Sequence, residues 1–351
     1  MEIKKFTELY IDATKEGKKI PKEQYQKTGN YPIIDQGQQE IAGWCDDEEG
    51  SFKNVPAILF GDHTRIIKYV EEPFFIGADG VKILCPVNKK DNIKYLYYAL
   101  QAARIPNLGY SRHFKVVKEL NIFTYEKSIQ DKIVCVLEKI DSIIMQQKRR
   151  LNYLEELVKS RFIEMFGDEN NSKKWDIVNV ENVADVQVGV VIKPSQYYTD
   201  KNEGIKAFRS LNVGEGYIKD SEWVYFSKEG HQKNSKSILK ENDLLIVRSG
   251  TPGTACVVTK DYVGSNTIDL IIAHPNCEKV NPYYLCTFTN MPHGKKQISE
   301  GIGGAAQQHF NVGKYNKLKL MLPPMKIQNK FVEFLREIDK SKHFCEMEVA
   351  A

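Results

Sequence analysis

The chain has 351 residues, 42% of them hydrophobic and 27% charged, with a formal net charge of +4. That length exceeds what one core usually supports, so two domains are expected, and the small positive charge permits nucleic-acid binding only through local patches. With no apolar run of about eighteen residues and no apolar centre in MEIKKFTELYIDATKEG, a membrane span and a signal peptide are excluded, and a soluble cytoplasmic protein is expected.

Residues 1–125 read as a mixed domain. KIPKEQY spans residues 19–25, and IDQGQQE (34–40) is a polar stretch carrying Gln36, Gln38 and Gln39. VPAILFG (55–61) and GVKILC (80–85) are short apolar runs bounded by Gly, Pro, Asn and Asp, the pattern of strands. IKYLYYALQAAR (93–104) has helical spacing, and GYSRHFKVV (109–117) follows it.

From Glu126 to Phe166 neither Pro nor Gly interrupts the chain. Ile129, Ile133, Val136, Ile140, Ile143, Gln147, Leu151, Leu154, Val158, Phe162 and Met165 fall at largely alternating spacings of three and four, with slips after Gln147 and Val158. This is a coiled-coil stripe on a helix that would span about 60 Å. Gly167 and Asp168 end it, so a spacer helix is expected over 126–167.

Residues 168–323 read as a second mixed domain. DLLIVRSG, ACVVTKDYVG and DLIIAH are strand-like, and NPYYLCTFTNM (281–291) is helical. A second helix follows over 324–351, and it resembles the first. IQDKIVCVLEKID (129–141) and IQNKFVEFLREID (327–339) share seven of thirteen positions at an offset of 198. Upstream, His113-Phe114-x-Val116 recurs as His309-Phe310-x-Val312, VPAILFGDHT parallels NDLLIVRSGTPG, and KIPKEQY parallels VIKPSQY (191–197). Their shared order marks a duplication. The expected fold is α+β: two pseudo-repeated mixed domains joined by long helices that pack as an antiparallel coiled coil. Phe331, Phe334, Leu335 and Ile338 on the second helix are the expected partners of the first helix's stripe.

Two variable domains, each followed by a similar long helix, resemble the specificity subunit of type I restriction–modification enzymes. The most specific parts are SIQDKIVCVLEKIDSIIMQQKRRLNYLEELVKSRFIEMFG and LPPMKIQNKFVEFLREIDKSK, and the likeness covers essentially the whole chain. The resemblance implies two target-recognition domains, each reading one half of a bipartite site in double-stranded DNA. It further implies helices that act as a spacer and as the platform for two methyltransferase subunits, with restriction/translocase subunits completing the complex. S-adenosylmethionine, ATP and Mg would then sit on those partners, and this chain would bind no cofactor. The second helix departs from the pattern by stopping early, since the likeness ends near Lys342. That truncation is expected to leave Leu151, Leu154, Val158 and Phe162 without their full partner, to be covered by a methyltransferase or by self-association. A stand-alone DNA-binding protein, or the specificity subunit of a system with fused methyltransferase and nuclease, is the alternative reading.

Base edges are read bidentately by Arg, Asn and Gln, and phosphates are met by Lys and Arg. In the first domain the candidates are Gln36, Gln38, His63, Arg65, Ser111, Arg112 and His113; in the second they are Arg209, Arg248, Ser249, Thr251, Gln307, Gln308 and His309. Each lies in a polar loop following an apolar run or a glycine-rich turn. The basic cluster Lys148-Arg149-Arg150 reads as a solvated helix face. Catalytic motifs are absent: NPYY lacks the second proline of the adenine-methyltransferase motif, no G-x-x-x-x-G-K-[ST] loop occurs, and the seven cysteines form no CxxC pair or zinc spacing. A non-catalytic recognition chain without a metal is therefore expected.

Overall fold

The computed structural model describes residues 1–351 apart from 48, 78, 110, 302–309, 351 and the side chain of 350. The chain divides into Met1–Met145 and Gln146–Ala351. Both units are built on the same frame. The first carries a four-stranded antiparallel sheet in the order Tyr10–Asp12, Val81–Pro86, Ala57–Gly61, Ile67–Val70. The second carries Ala184–Val188, Leu270–Pro275, Leu244–Val247, Ala255–Val257 in the same arrangement. Beside each lies a smaller sheet in which one strand pairs parallel with the segment leading into the central sheet: Tyr31–Ile34 with Phe75–Ile76, and Ile205–Phe208 with Asn266–Thr267. The duplication seen in the sequence is a duplication of topology.

The central strands read as unbroken apolar runs because both of their faces are covered. Ile58, Phe60 and Leu84 pack with Tyr95, Leu96 and Leu100 of the helix Ile93–Ala102. Ala57, Leu59 and Ile83 point the other way, towards Phe52, Phe74 and Ile76. In the second unit Leu244, Ile246 and Ile271 meet Tyr284 and Phe288 of the helix Pro282–Asn290, while Leu245, Val247 and Ile272 meet Phe208 and Val213. A two-stranded ladder then closes each root: Glu2–Lys5 with Asn121–Thr124, and Ile177–Asn179 with Lys319–Met321.

The same polar lock ties each long helix to its own domain. In the first unit the buried Gln130 accepts from Asn92 N at 2.8 Å and donates to Tyr125 O at 2.8 Å. In the second, the buried Gln328 accepts from Asn281 N at 2.8 Å and donates to Pro323 O at 2.7 Å. Asn92 and Asn281 are the N-caps of the two domain helices. The glutamine thus uses its acceptor and its donor on backbone groups that would otherwise be buried without partners.

The long helix runs Lys127–Phe166 and the C-terminal helix Met325–Ala350. Gly167 closes the former at φ +89°, its N–H bonded to Ile163 O at 2.8 Å. Within the second unit the two helices pair antiparallel. Phe162 meets Phe331, the Arg161 guanidinium lies over Phe334, and Gln147 donates to Glu348. Phe162, Phe331, Ile338 and Cys345 are buried, and Leu151, Leu154, Val158, Phe334 and Leu335 are half-buried. This corrects the expectation that Leu151, Leu154, Val158 and Phe162 are left without their full partner, because the C-terminal helix continues past Lys342 to Ala350. A helix that starts at the domain root and runs antiparallel covers the adjacent end of the long helix first. In the first unit the helix instead buries Gln130 and Val134, with Ile133 partly covered. Ile129, Val136, Ile140 and Ile143, expected on a paired seam, are exposed.

Candidate nucleic-acid interface

Strand register gathers the candidate residues at one end of each unit. In the first, Tyr31–Ile34 and Phe75–Ile76 run parallel and finish together, and Gly61 pairs with Val81 just beyond them. The loops 35–42 and 61–66 therefore emerge side by side with Asp79 and Gly80, and His113 joins Leu108 to them.

His113 was expected at the surface and lies 1% exposed. Its Nε2 accepts from Leu108 N at 3.1 Å, so Nδ1 carries the proton and donates to Asp62 O at 2.9 Å. The two bonds fix one neutral tautomer and leave no edge for a base. The buried Asp62 accepts from Phe114 N at 2.7 Å, completing the joint. Gln36 is likewise committed: Oε1 accepts from His63 N at 3.1 Å and Nε2 donates to Asp79 O at 2.9 Å. Arg65 adopts φ +62° and donates to Ile105 O at 3.3 Å. Lys68 holds the glutamine loop from beneath through Asp35 O and Gln39 O, and burial pushes its ammonium pKa down. Around this stitched frame Gln38, Thr64, Arg104 and Arg112 stay exposed and Ser111 half-buried. Lys19 holds the Asp79 carboxyl below the usual range, with Arg112 adding a smaller pull. A cationic side chain therefore faces this loop cluster.

The second unit repeats the plan with other residues. Val247 pairs with Leu270, Val188 with Ile271 and Phe208 with Thr267, so the segments after Val188, Phe208 and Val247 share an end. Arg248 occupies the place of Asp62, and its carbonyl accepts from Phe310 N at 3.1 Å. Its guanidinium was expected to reach outward; it is largely enclosed, donating to Phe310 O at 3.2 Å and pairing with Asp269. Arg209 turns to Glu222 O, and the buried Asn212 clamps its turn by accepting from Arg209 N at 2.9 Å. Ser249 is half-buried and Thr251 exposed on a turn that needs positive φ at Gly250 and Gly253. At Gly253 the φ of +86° favours glycine, and a Cβ there would also press on Ile298 Cδ1 at 2.7 Å. Gln307, Gln308 and His309 lie outside the described residues.

Asp62, Lys68, Asn212 and Asp269 escaped the sequence reading. Asp62 and Asp269 were legible in principle, as acids standing at the ends of fully apolar strands where a loop backbone needs an acceptor. Among the described residues no group of His, Cys, Asp and Glu could hold a metal ion, and no helix is long and apolar enough to cross a membrane.

Residues 1–156 and 172–345 both match the family described as the type I restriction modification DNA specificity domain. The chain belongs to that family. Its fold is similar to the crystal structure of a type I restriction–modification system S subunit from M. genitalium, with TM-score 0.60 at 15% identity over 99% of this chain and 92% of that one. A structure bearing on complex assembly and conformational transition of the type I R-M system gives TM-score 0.58 at 13% identity, over 99% and 93% of the two chains. At such identities the likeness speaks for the fold. No curated protein sequence matches the chain. The type I specificity assignment therefore rests on the family match to both copies, and the paired frames described above are what that match covers.

Proposed function

We propose that the loop cluster of each unit reads one half of a bipartite target in double-stranded DNA, that the helices set the gap between the halves, and that the chain itself does no chemistry. One observation carries this reading: a single two-sheet frame occurs twice, and the same end of each copy bears polar loops of different sequence. Gln38 and Arg112 are the outward readers in the first unit, where the Thr64 hydroxyl is taken by Gln36 O at 2.7 Å, with Ser249 and Thr251 in the second; Gln307, Gln308 and His309 complete the second set from sequence alone. Gln36, Arg65 and Arg248 position these loops. The exposed strip of Val136, Ile140 and Ile143 in the first unit and, by itself, the exposed pair Phe344 and Met347 in the second support docking of methyltransferase subunits. Those subunits would bring S-adenosylmethionine, and restriction/translocase subunits would bring ATP and Mg. The test is methylation mapping with the reconstituted complex. Gln38→Ala with Arg112→Ala relaxes the half-site of the first unit and leaves the other intact, and Thr251→Ala does the converse. Uniform weakening of both halves by either variant would contradict the division of labour.

A further inference from the structure

We propose that Val191–Ile192 forms an apolar wedge that enters the DNA base stack beside the half-site read by the second unit; the inference rests on the function proposed above. Ile192 is 78% exposed and Val191 49%, in a segment whose two flanks are fixed. On one side Gly189 N bonds Leu270 O at 2.9 Å, Val190 N bonds Thr267 O at 2.9 Å, and Asp269 N bonds Val190 O at 3.1 Å. Gly189 lies so close to the next strand that a Cβ would stand 2.0 Å from Thr267 Oγ1. On the other side Lys193 takes the left-handed conformation, φ +43° and ψ +54°, and Pro194 opens the 3-10 turn Pro194–Tyr197. A non-glycine residue held at positive φ between anchored flanks marks a tip whose shape is imposed.

The other copy shows what this segment does when it has no such task. There Lys19 makes the bridge to Ile76 that Val190 makes to Ile268, and a 3-10 turn starts at Lys22, three residues on. In the second unit the corresponding turn starts at Pro194, four residues after Val190. The first copy's Ile20 is 5% exposed and packs with Ile33 and Phe75. In the second, Val190 packs against Ala207, Phe226 and Ile268, and the extra length presents an aliphatic pair to solvent.

Place and flanks select the occupant. The tip emerges at the sheet end that carries Arg248 and Arg209, and Val190 is bonded to Asp269, the partner of Arg248. Lys193 follows as an exposed cation suited to phosphate, and Leu211, beyond Arg209, is also exposed. Proteins that kink DNA use Ile, Leu, Phe, Met or Pro in this way, inserted between base steps. Two aliphatic side chains are far too little surface for a protein partner, which needs about 800 Å² per side.

The experiment uses the full chain and target duplexes carrying 2-aminopurine at successive steps of the second half-site, away from the base found methylated in the mapping. The wild type and Ile192→Val raise the fluorescence at one step. Ile192→Ser, which alters no packed contact, loses that rise and binds about tenfold more weakly. A mismatch placed at the same step restores its affinity. An Ile192→Ser chain that keeps both affinity and fluorescence overturns the wedge while leaving DNA reading in place. A wild-type chain with no specific, salt-sensitive binding overturns both.

Discussion

The glutamine lock gives the sharpest test of why the duplicated helix begins as it does. Gln328→Leu keeps the approximate volume of a fully buried side chain and removes its polar atoms. Asn281 N loses an acceptor at 2.8 Å and Pro323 O a donor at 2.7 Å, with a longer contact to Lys279 O lost besides. Each buried group left unpaired costs about 1–3 kcal/mol, so the loss of both is expected to cost about 2–6 kcal/mol. For a unit of this size that is about 4–24 °C in Tm. Trp175 and Trp223 belong to this unit and Trp44 to the other, so a Trp44→Phe background makes tryptophan emission report the second unit alone. Asn329→Asp is the control. Asn329 accepts from Asn281 Nδ2 at 2.9 Å, and its counterpart Asp131 accepts from Asn92 Nδ2 at 2.7 Å. That exchange is expected to stay within about 0.5 kcal/mol. A Gln328→Leu chain melting within about 1 °C of its parent would show that the lock is ornamental.

Two further outcomes follow from the root of the long helix. Phe166→Ala removes a fully buried ring lying 4.7 Å from Tyr284 and 5.2 Å from Phe331, and is expected to cost about 3–5 kcal/mol in urea unfolding of the second unit. Burial pushes the His293 imidazole below its ordinary 6.5, with Glu169 pulling the other way more weakly. Its unfolded form therefore takes up a proton first, so stability falls as pH drops from about 6.5 towards the folded value and levels off below it. His293→Gln should flatten that part of the wild-type pH curve; an unchanged slope would assign the acid sensitivity elsewhere.

The repeat and the strands were legible for a physical reason. Central strands covered on both faces leave continuous apolar runs such as AILFG and LLIV, and these survive in any reading of the chain. The smaller sheets were not legible, since strands such as Gly43–Cys45 or Asn266–Thr267 are too short to carry a period. The long helix was legible from its length, but a heptad stripe does not say what covers it. Gln130, a polar residue inside an apolar stripe, is buried on the first unit, while Ile140 is exposed. At the loop cluster, sequence marked the polar residues that gather at one end of the sheets but not which of them are taken up by loop backbone. Loop backbones beside a buried strand need partners, and the nearest polar side chains supply them. His113, Gln36 and Arg248 are consumed in that way, and Gln38 and Arg112 remain.

The function proposed above requires two reading units whose separation is set by a continuous helix. Inserting four residues near Ser142 lengthens that helix by about 6 Å. Methylome sequencing of cells carrying the altered chain with its methyltransferase should then show both half-sites unchanged and the gap between them longer by one or two base pairs, at about 3.4 Å each. An unchanged gap, or a single contiguous motif in the parent, would contradict it.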